Sequence, residues 1–433
     1  MVAGCPTRAS DWGADTLTAT LALRRETAHD AAAVPALRML LARLPRYAPP
    51  CAGAPCAAWS DVPLWDAVAA LQAGRATGDV ADARRVARAA FARVARARVY
   101  ALGACPGIDY QQPFGGANRL KTLETDANYV RAALLLHAAG EGGALVRDAR
   151  AHYATIRRWF LQRDGLYTVY LFDDGRTCRP LPGRTFASVN GIMIWNGLEL
   201  ARATGDGRYR GDALATARAV AARLDDGAGV FANLQAENDV AEPLVEAMLR
   251  VAREQRAAFA RDWILRNARA AAAARDRAGD YARFFDGPAP RGPVTAWQVN
   301  GGFAVEVAAA ALAPHALAAP RSFAAGSHAG GFALGVGPYR LGFTGSGIAL
   351  YGTLGERCCE AGHARVFVDG VEPVDRTGIW QNKSSAGLPL RDALLFAWRW
   401  PARGRHVLTF APGVPNAKEG GSYLHVRAVT IQK

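Results

Sequence analysis

An alternation along the chain constrains its fold more than any other feature. Apolar stretches that open on polar residues recur as "WSDVPLWDAVAAL", "LETDANYVRAALLL", "SVNGIMIWNGLEL", "ENDVAEPLVEAML" and "WQVNGGFAVEVAAAAL", with a weaker first instance near "DWGADTLTATLAL". Each but the last is followed by a turn, twice "ATGD", and then by an Arg-rich stretch. Apolar residues recurring at intervals of three and four mark helices, since that period places them on one face. A helix apolar nearly all round must be enclosed by others, whereas an Arg-studded face belongs in water. Weakly charged helices with charged partners therefore predict antiparallel helix pairs closed into an all-α (α/α)6 toroid, the weakly charged helices inside.

Beyond Arg321 the period changes. Short runs such as "YRLGFTGSGIALYG", "HARVFVDGVEP", "RHVLTF" and "YLHVRAVTIQK" alternate Val, Phe and Tyr with polar residues between turn signals, which predicts an all-β jelly roll or β-sandwich. The expected organisation is multidomain: a tail over residues 1–11, the toroid over 12–314, a linker over 315–327 and the sandwich over 328–433. A chain of 433 residues is long enough for two cores. No apolar run reaches the roughly 20 residues that a membrane-spanning helix needs.

The net charge of +14 comes mostly from Arg spread along helices, as in Arg84, Arg85, Arg88, Arg93, Arg96 and Arg98. This reads as a solvated outer face and not as a nucleic-acid surface, because no nucleic-acid motif accompanies it. His137 and His152 have no partners at metal-ligand spacing, and no Gly-rich phosphate loop opens a helix, so neither a metal nor a cofactor is expected. A monomer is expected.

The seven Cys are an odd number. Val2-Ala3-Gly4-Cys5 resembles a bacterial lipobox without the charged and apolar regions that precede one, so Cys5 is either a lipid anchor or a chance match. Of the rest, Cys51 with Cys56 and Cys105 with Cys178 are candidate pairs, Cys358 and Cys359 are adjacent, and buried free thiols are the alternative. The expected location is exported: periplasmic, outer-membrane or secreted.

In a toroid of helix pairs all inner helices run the same way, so their N-terminal ends share one mouth. That gathers Ser60, Asp61, Asp66, Glu124, Asp126, Asn190, Glu237, Asp239, Glu242, Gln298 and Asn300, with the aromatic residues Trp59, Trp65, Tyr110, Tyr129, Trp195 and Trp297 near them. Carboxylates, amides and flat apolar rings suit a saccharide, whose hydroxyls need paired hydrogen bonds and whose ring faces are apolar. A polysaccharide or oligosaccharide is the expected partner.

The stretch "GIDYQQPFGGANRLKTLETDANYVRAALLLHAAGEGGALVRDARAHYATIRRWFLQRDGLYTVYLFDDG", followed by "SVNGIMIWNGLELARATGDGRYRGDALATARAVAARL", resembles glycoside hydrolase family 76, the endo-α-1,6-mannanases. The resemblance spans Trp12 to Leu312 and implies the six-hairpin fold and α-mannan-like or related envelope polysaccharide as substrate. In that family two consecutive Asp carry catalysis, in a pattern like Asp-Asp-x-x-Trp-Trp. The matching residues are Ser60-Asp61-Val62-Pro63-Leu64-Trp65, which gives Asp61 the general acid/base role and puts Ser60 where the nucleophile stands. A retaining glycosidase needs a second carboxylate about 5 Å from the acid, and an inverting one needs it about 6.5 to 9.5 Å away. Asp66 and Asp126 are the candidates, and Asp239 is a third for that role or for substrate contacts. The alternatives are a glycan-binding protein that lost turnover with Ser60, and a purely structural envelope component with its cleft filled by side chains; for Asp61 itself the alternative is a helix cap. The C-terminal region resembles a galactose-binding-type jelly roll in "FTGSGIALYG", "ARVFVDG", "HVLTF" and "GGSYLHV". There Tyr351, Trp380, Trp398 and Trp400 are either a stacking platform or core.

Overall fold

The computed structural model describes residues 9–47, 58–98, 103–109, 111–112, 120–181, 185–232, 241–291, 294–313, 327–334, 337–354, 363–373, 379–380, 389–412 and 424–433. They belong to two compact units, the first spanning Met1–Ala219 with Glu242–Gln255 and the second Val220–Ala241 with Arg256–Lys433. The division falls within the helical part of the sequence and not at the expected linker, most of which lies outside the described residues.

The first unit contains α1 (Ala9–Ala28), α2 (Ala33–Tyr47), α3 (Val62–Thr77), α4 (Val80–Arg98), α5 (Leu123–Ala138), α6 (Ala144–Phe160), α7 (Ala187–Thr204), most of α8 (Gly207–Arg223), and α9 (Glu242–Glu254). Short strands link them: β1 (Ala58–Trp59) pairs with β2 (Gln111–Gln112), while β3 (Leu120–Thr122), β4 (Tyr170–Asp173) and β5 (Cys178–Pro180) form an antiparallel three-stranded sheet. The expected split between inner and outer helices is visible in burial. Every residue of α3 from Val62 to Gly74 is buried, as is every residue of α7 from Ala187 to Ala201. On α6 only Ala149, Tyr153, Ile156 and Phe160 are buried, a stripe at helical spacing. Helices α1, α3, α5, α7 and α9 pack each against the next, and α9 returns to α1.

The repeated "ATGD" has a physical cause. In both copies the Gly, Gly78 after α3 and Gly205 after α7, takes the left-handed conformation (φ 84° and 73°) that ends a helix without a side-chain clash. The Thr hydroxyl then accepts the N–H of the following Asp, at 3.3 Å in Thr77–Asp79 and 3.2 Å in Thr204–Asp206. Cys105 and Cys178 form a disulfide beside Asp173, whose carboxylate accepts the N–H groups of Ala104, Cys105 and Gly175. The "FDDG" pair is thus a turn and loop anchor.

The second unit holds α10 (Ala258–Ala273) packed on α11 (Ala296–Leu312), and the β region. Strands β6 (Ser327–Leu334), β7 (Tyr339–Leu354), β8 (His363–Val368), β9 (Ile379–Trp380), β10 (Leu390–Pro412) and β11 (Leu424–Gln432) pair antiparallel in the order β6-β11-β7-β10-β8-β9. From Tyr339 to Thr344 β7 alternates in exposure, and from Gly347 to Leu354 both its faces are buried, as a β-sandwich requires. Register shifts along β10 accommodate the bending of so long a strand. Its core gathers Ile348, Leu350, Tyr351, Phe396, Leu408 and Phe410, so Tyr351 is core and not platform.

Candidate functional site

Asp61 does not cap its helix. It already has helical angles (φ −77°, ψ −33°) and its side chain makes no capping bond; the backbone carbonyl starts the helix, accepting from Leu64 at 2.9 Å and Trp65 at 3.0 Å. Pro63 sits in the first turn, where its missing N–H costs nothing. The side chain is 2% exposed, and Oδ1 has no hydrogen-bond partner. Burial pushes the carboxyl up to about 7, against the N–H groups of Asp61 and Val62 and the Trp65 side chain, which pull it down. Ser60, next to it, is buried with an unpartnered hydroxyl.

Helical geometry sorts the other candidates. Asp61, Trp65 and Gln72 recur at intervals of four and seven, so they lie on one stripe of α3. Gln72 donates to Glu246 of α9 at 3.0 Å, and Arg131 of α5 donates to the same Glu246 oxygen. That stripe therefore faces the centre of the helix ring. By the same spacing Glu124, Asn128 and Arg131 form the inward stripe of α5, and Glu242 and Glu246 that of α9. Glu242, the first residue of α9, is 1% exposed with neither carboxylate oxygen partnered. Burial, reinforced by the charge of Glu246 and opposed by Arg131, pushes it up to about 8. Burial also acts to raise Glu246, but Arg131, Arg75 and Arg250 outweigh it and hold that carboxyl below its usual range.

Three expectations are corrected by this geometry. Asp126 points outward: its oxygens accept the Ile108 N–H at 3.2 and 3.4 Å and lie 3.4 Å from Nδ1 of His152 on α6, so it anchors a loop instead of facing Asp61. Asn190 also points outward, accepting the Tyr167 N–H at 2.9 Å and donating to Phe186 O at 2.7 Å. Trp195 lies well along α7 with Arg131 and Arg250 both 5.1 Å from its ring, in a cavity of about 800 Å³ walled also by Arg75, Glu199 and Glu246. These residues come from the middle and C-terminal portions of the inner helices, so the cavity opens at the end opposite Asp61. Asp66 is buried but lies about 140° round α3 from Asp61. Glu124 is half-buried on the inward stripe.

Asn300 is buried on α11 in the second unit, its amide unpartnered. Tyr110, Glu237 and Asp239 lie outside the described residues, as do Cys5, Cys51, Cys56, Cys358 and Cys359, and so do the side chains of Trp59, Trp297, Gln298 and Trp380. Among the described residues no group of His, Cys, Asp and Glu could hold a metal ion. The belt of Gln72, Arg131 and Glu246 was not anticipated. Its signal is a lone Arg inside the apolar "ANYVRAALLL" and two Glu four apart in "AEPLVEAML". A charge at such positions faces other helices and needs a partner there.

No protein-family model matches the sequence, and no curated protein matches it. Among solved structures, the family 76 α-1,6-mannanase of Salegentibacter sp. HEL1_6 is similar with a TM-score of 0.61 and 20% identity, over 70% of this chain and 89% of that one. An α-mannanase of family 76 from Bacteroides thetaiotaomicron is similar at 0.56 and 17%, over 69% and 85%. A sugar epimerase from a ruminal bacterium is similar at 0.52 and 14%, over 69% and 87%. At these identities the likeness is one of fold: the chain has the six-hairpin α/α architecture, followed by a β-sandwich. The Salegentibacter enzyme also exists as an inactive variant with two adjacent aspartates replaced, in complex with α-1,6-mannotetrose.

Proposed function

We propose that the chain is a glycoside hydrolase acting on α-mannan-like or related envelope polysaccharide, with Asp61 as its general acid. One observation carries this reading: a buried carboxyl, raised to about 7 and with one oxygen unpartnered, stands where the family pattern has its second Asp. A carboxyl of this kind is still protonated in a large share of molecules at neutral pH and can deliver the proton to a leaving glycosidic oxygen. Trp65 and Glu124 share the inward face and would contact the sugar. Asp239, outside the described residues, remains the candidate second carboxylate from the opening of α9. The scaffold alone does not fix the chemistry, since epimerases share it. An exported setting, with Cys5 as a lipid anchor, belongs to this reading, and the Cys105–Cys178 bond supports export.

Ser60 favours a second reading, a glycan-binding protein without turnover, because its hydroxyl is hydrogen-bonded to no base and is therefore a poor nucleophile. Incubation with a panel of α-linked mannans separates the two. The hydrolase releases reducing ends, and Asp61→Asn abolishes the release. Binding without release, indifferent to Asp61→Asn, rejects the hydrolase. Ser60→Asp would then gain hydrolysis if the missing carboxylate is the only defect.

A further inference from the structure

The second unit contains a pocket of about 310 Å³ that the reading above does not use. It lies between the Arg223–Ala232 segment and strands β8 and β10, and its walls include Trp398, Trp400, Asp225, Glu372, Arg223 and Val371. The volume falls at the lower end of small-molecule sites, which begin at about 300 Å³.

Its polar and aromatic groups are held in place. Trp400 stacks on His406 with ring centres 4.0 Å apart, and its indole N–H donates to Asp369 at 3.0 Å. Asp369, in turn, sits in a left-handed turn (φ 50°) and accepts the Val407 N–H at 2.8 Å. Trp398 is parallel to Phe396. Asp225 accepts from Trp263 at 3.4 Å and Arg266 at 3.2 Å, and Arg365 grips Glu372 through two bonds of 2.8 and 2.7 Å. Asp226 fixes the loop to β10 by accepting the Arg399 N–H at 3.1 Å, and Gly227 lies so close that a Cβ there would be 2.8 Å from the Arg399 carbonyl. An indole wall facing oriented carboxylates is a preorganised arrangement.

We propose that this pocket is a saccharide-binding site for a pyranose unit of a neutral glycan. Two half-buried indoles offer flat apolar area to the C–H face of a sugar ring, and each carboxylate oxygen can accept more than one donor, so hydroxyls can join the donors already there. The charged groups of the wall decide the class. Asp225 and Glu372 are each paired with an arginine, Arg266 and Arg365, so the wall presents no cluster of cations to an anionic glycan although the chain as a whole carries +14. Val371, 70% exposed on the turn after β8, stands at the rim. The site does not depend on Asp61 and would hold polysaccharide whether or not the helical unit cleaves it.

The test is affinity electrophoresis of the full chain through gels containing neutral α-mannan, a neutral glucan or an anionic polysaccharide, with Asp61→Asn as the background to prevent cleavage. Retardation by a neutral glycan is expected, weakened about tenfold or more by Trp398→Ala. Val371→Arg, at a side chain that is 70% exposed, should weaken it similarly by obstructing the rim. No retardation by either neutral glycan, or retardation unchanged in Val371→Arg, overturns the site. Retardation by the anionic polysaccharide alone overturns the ligand class. Reducing-end release by the unmutated chain is scored separately, so failure of the hydrolase reading leaves these outcomes intact.

Discussion

Replacing Asp61 with Asn should make the protein more stable as the pH rises, and the size of the effect follows from burial. An unfolded Asp titrates near 3.8, while in the fold burial pushes Asp61 up to about 7. Between those values the folded state holds a proton that the unfolded chain has released, so stability falls with rising pH and the loss is complete just above the folded value. About three pKa units at 1.36 kcal/mol each give on the order of 4 kcal/mol. Asn carries no charge and avoids this loss. Its amide can replace the unpartnered Oδ1, leaving the other oxygen to accept from Val62 and Trp65. Urea unfolding of both proteins at pH 5, 6, 7 and 8 measures the difference. The variant should gain on the wild type by roughly 1 kcal/mol per pH unit up to about pH 7 and then run parallel. Parallel curves across the whole range would mean that Asp61 is solvated, and the general-acid proposal would lose its basis.

Arg131→Met should cost about 3 to 5 kcal/mol, because it leaves Glu246 charged and buried without its guanidinium, while adding Glu246→Met should recover much of that loss; chemical denaturation of the two single variants and the double variant checks the coupling. Gly191 presses against the backbone of Pro243 and Leu244, so Gly191→Val should separate the openings of α7 and α9 and lower the melting temperature by several degrees. An unchanged thermal midpoint would refute that contact.

The inner and outer helices were legible because burial imposes composition: α7 has no room for a solvated face, and its sequence carries charge only toward its C-terminal end. The repeated "ATGD" was legible as punctuation for a related reason, since a left-handed residue followed by a new helix start leaves few choices of residue. Facing was harder to read. Asp61 and Asp126 occupy similar places at the openings of adjacent inner helices, yet one turns to the ring centre and the other to α6. Asp126 lies five residues before Arg131, about half a turn from its stripe. Only the knowledge that Arg131 meets Glu246 sets the phase, and that contact joins residues 115 apart in sequence. Trp195 misled for another reason: its nearness to Asn190 in the chain hides about 7 Å of axial rise.

The belt of Gln72, Arg131 and Glu246 also limits how a glycan could use the first unit. Asp61 precedes Gln72 by eleven residues, which is about 16 Å along α3, so the belt lies well below the carboxyl and ties α3, α5 and α9 together across the ring. For a polysaccharide bound at Asp61, as proposed, the belt stands between it and the cavity around Trp195. Glu242 stands one turn above the belt, about 6 Å nearer the mouth. Burial pushes it up to about 8, so at neutral pH it meets whatever reaches that depth as a protonated carboxyl, a hydrogen-bond donor and not an attacking anion. A second ionised carboxylate for hydrolysis thus has to come from nearer the level of Asp61, and Ser60→Asp supplies one there with the smallest change to the chain.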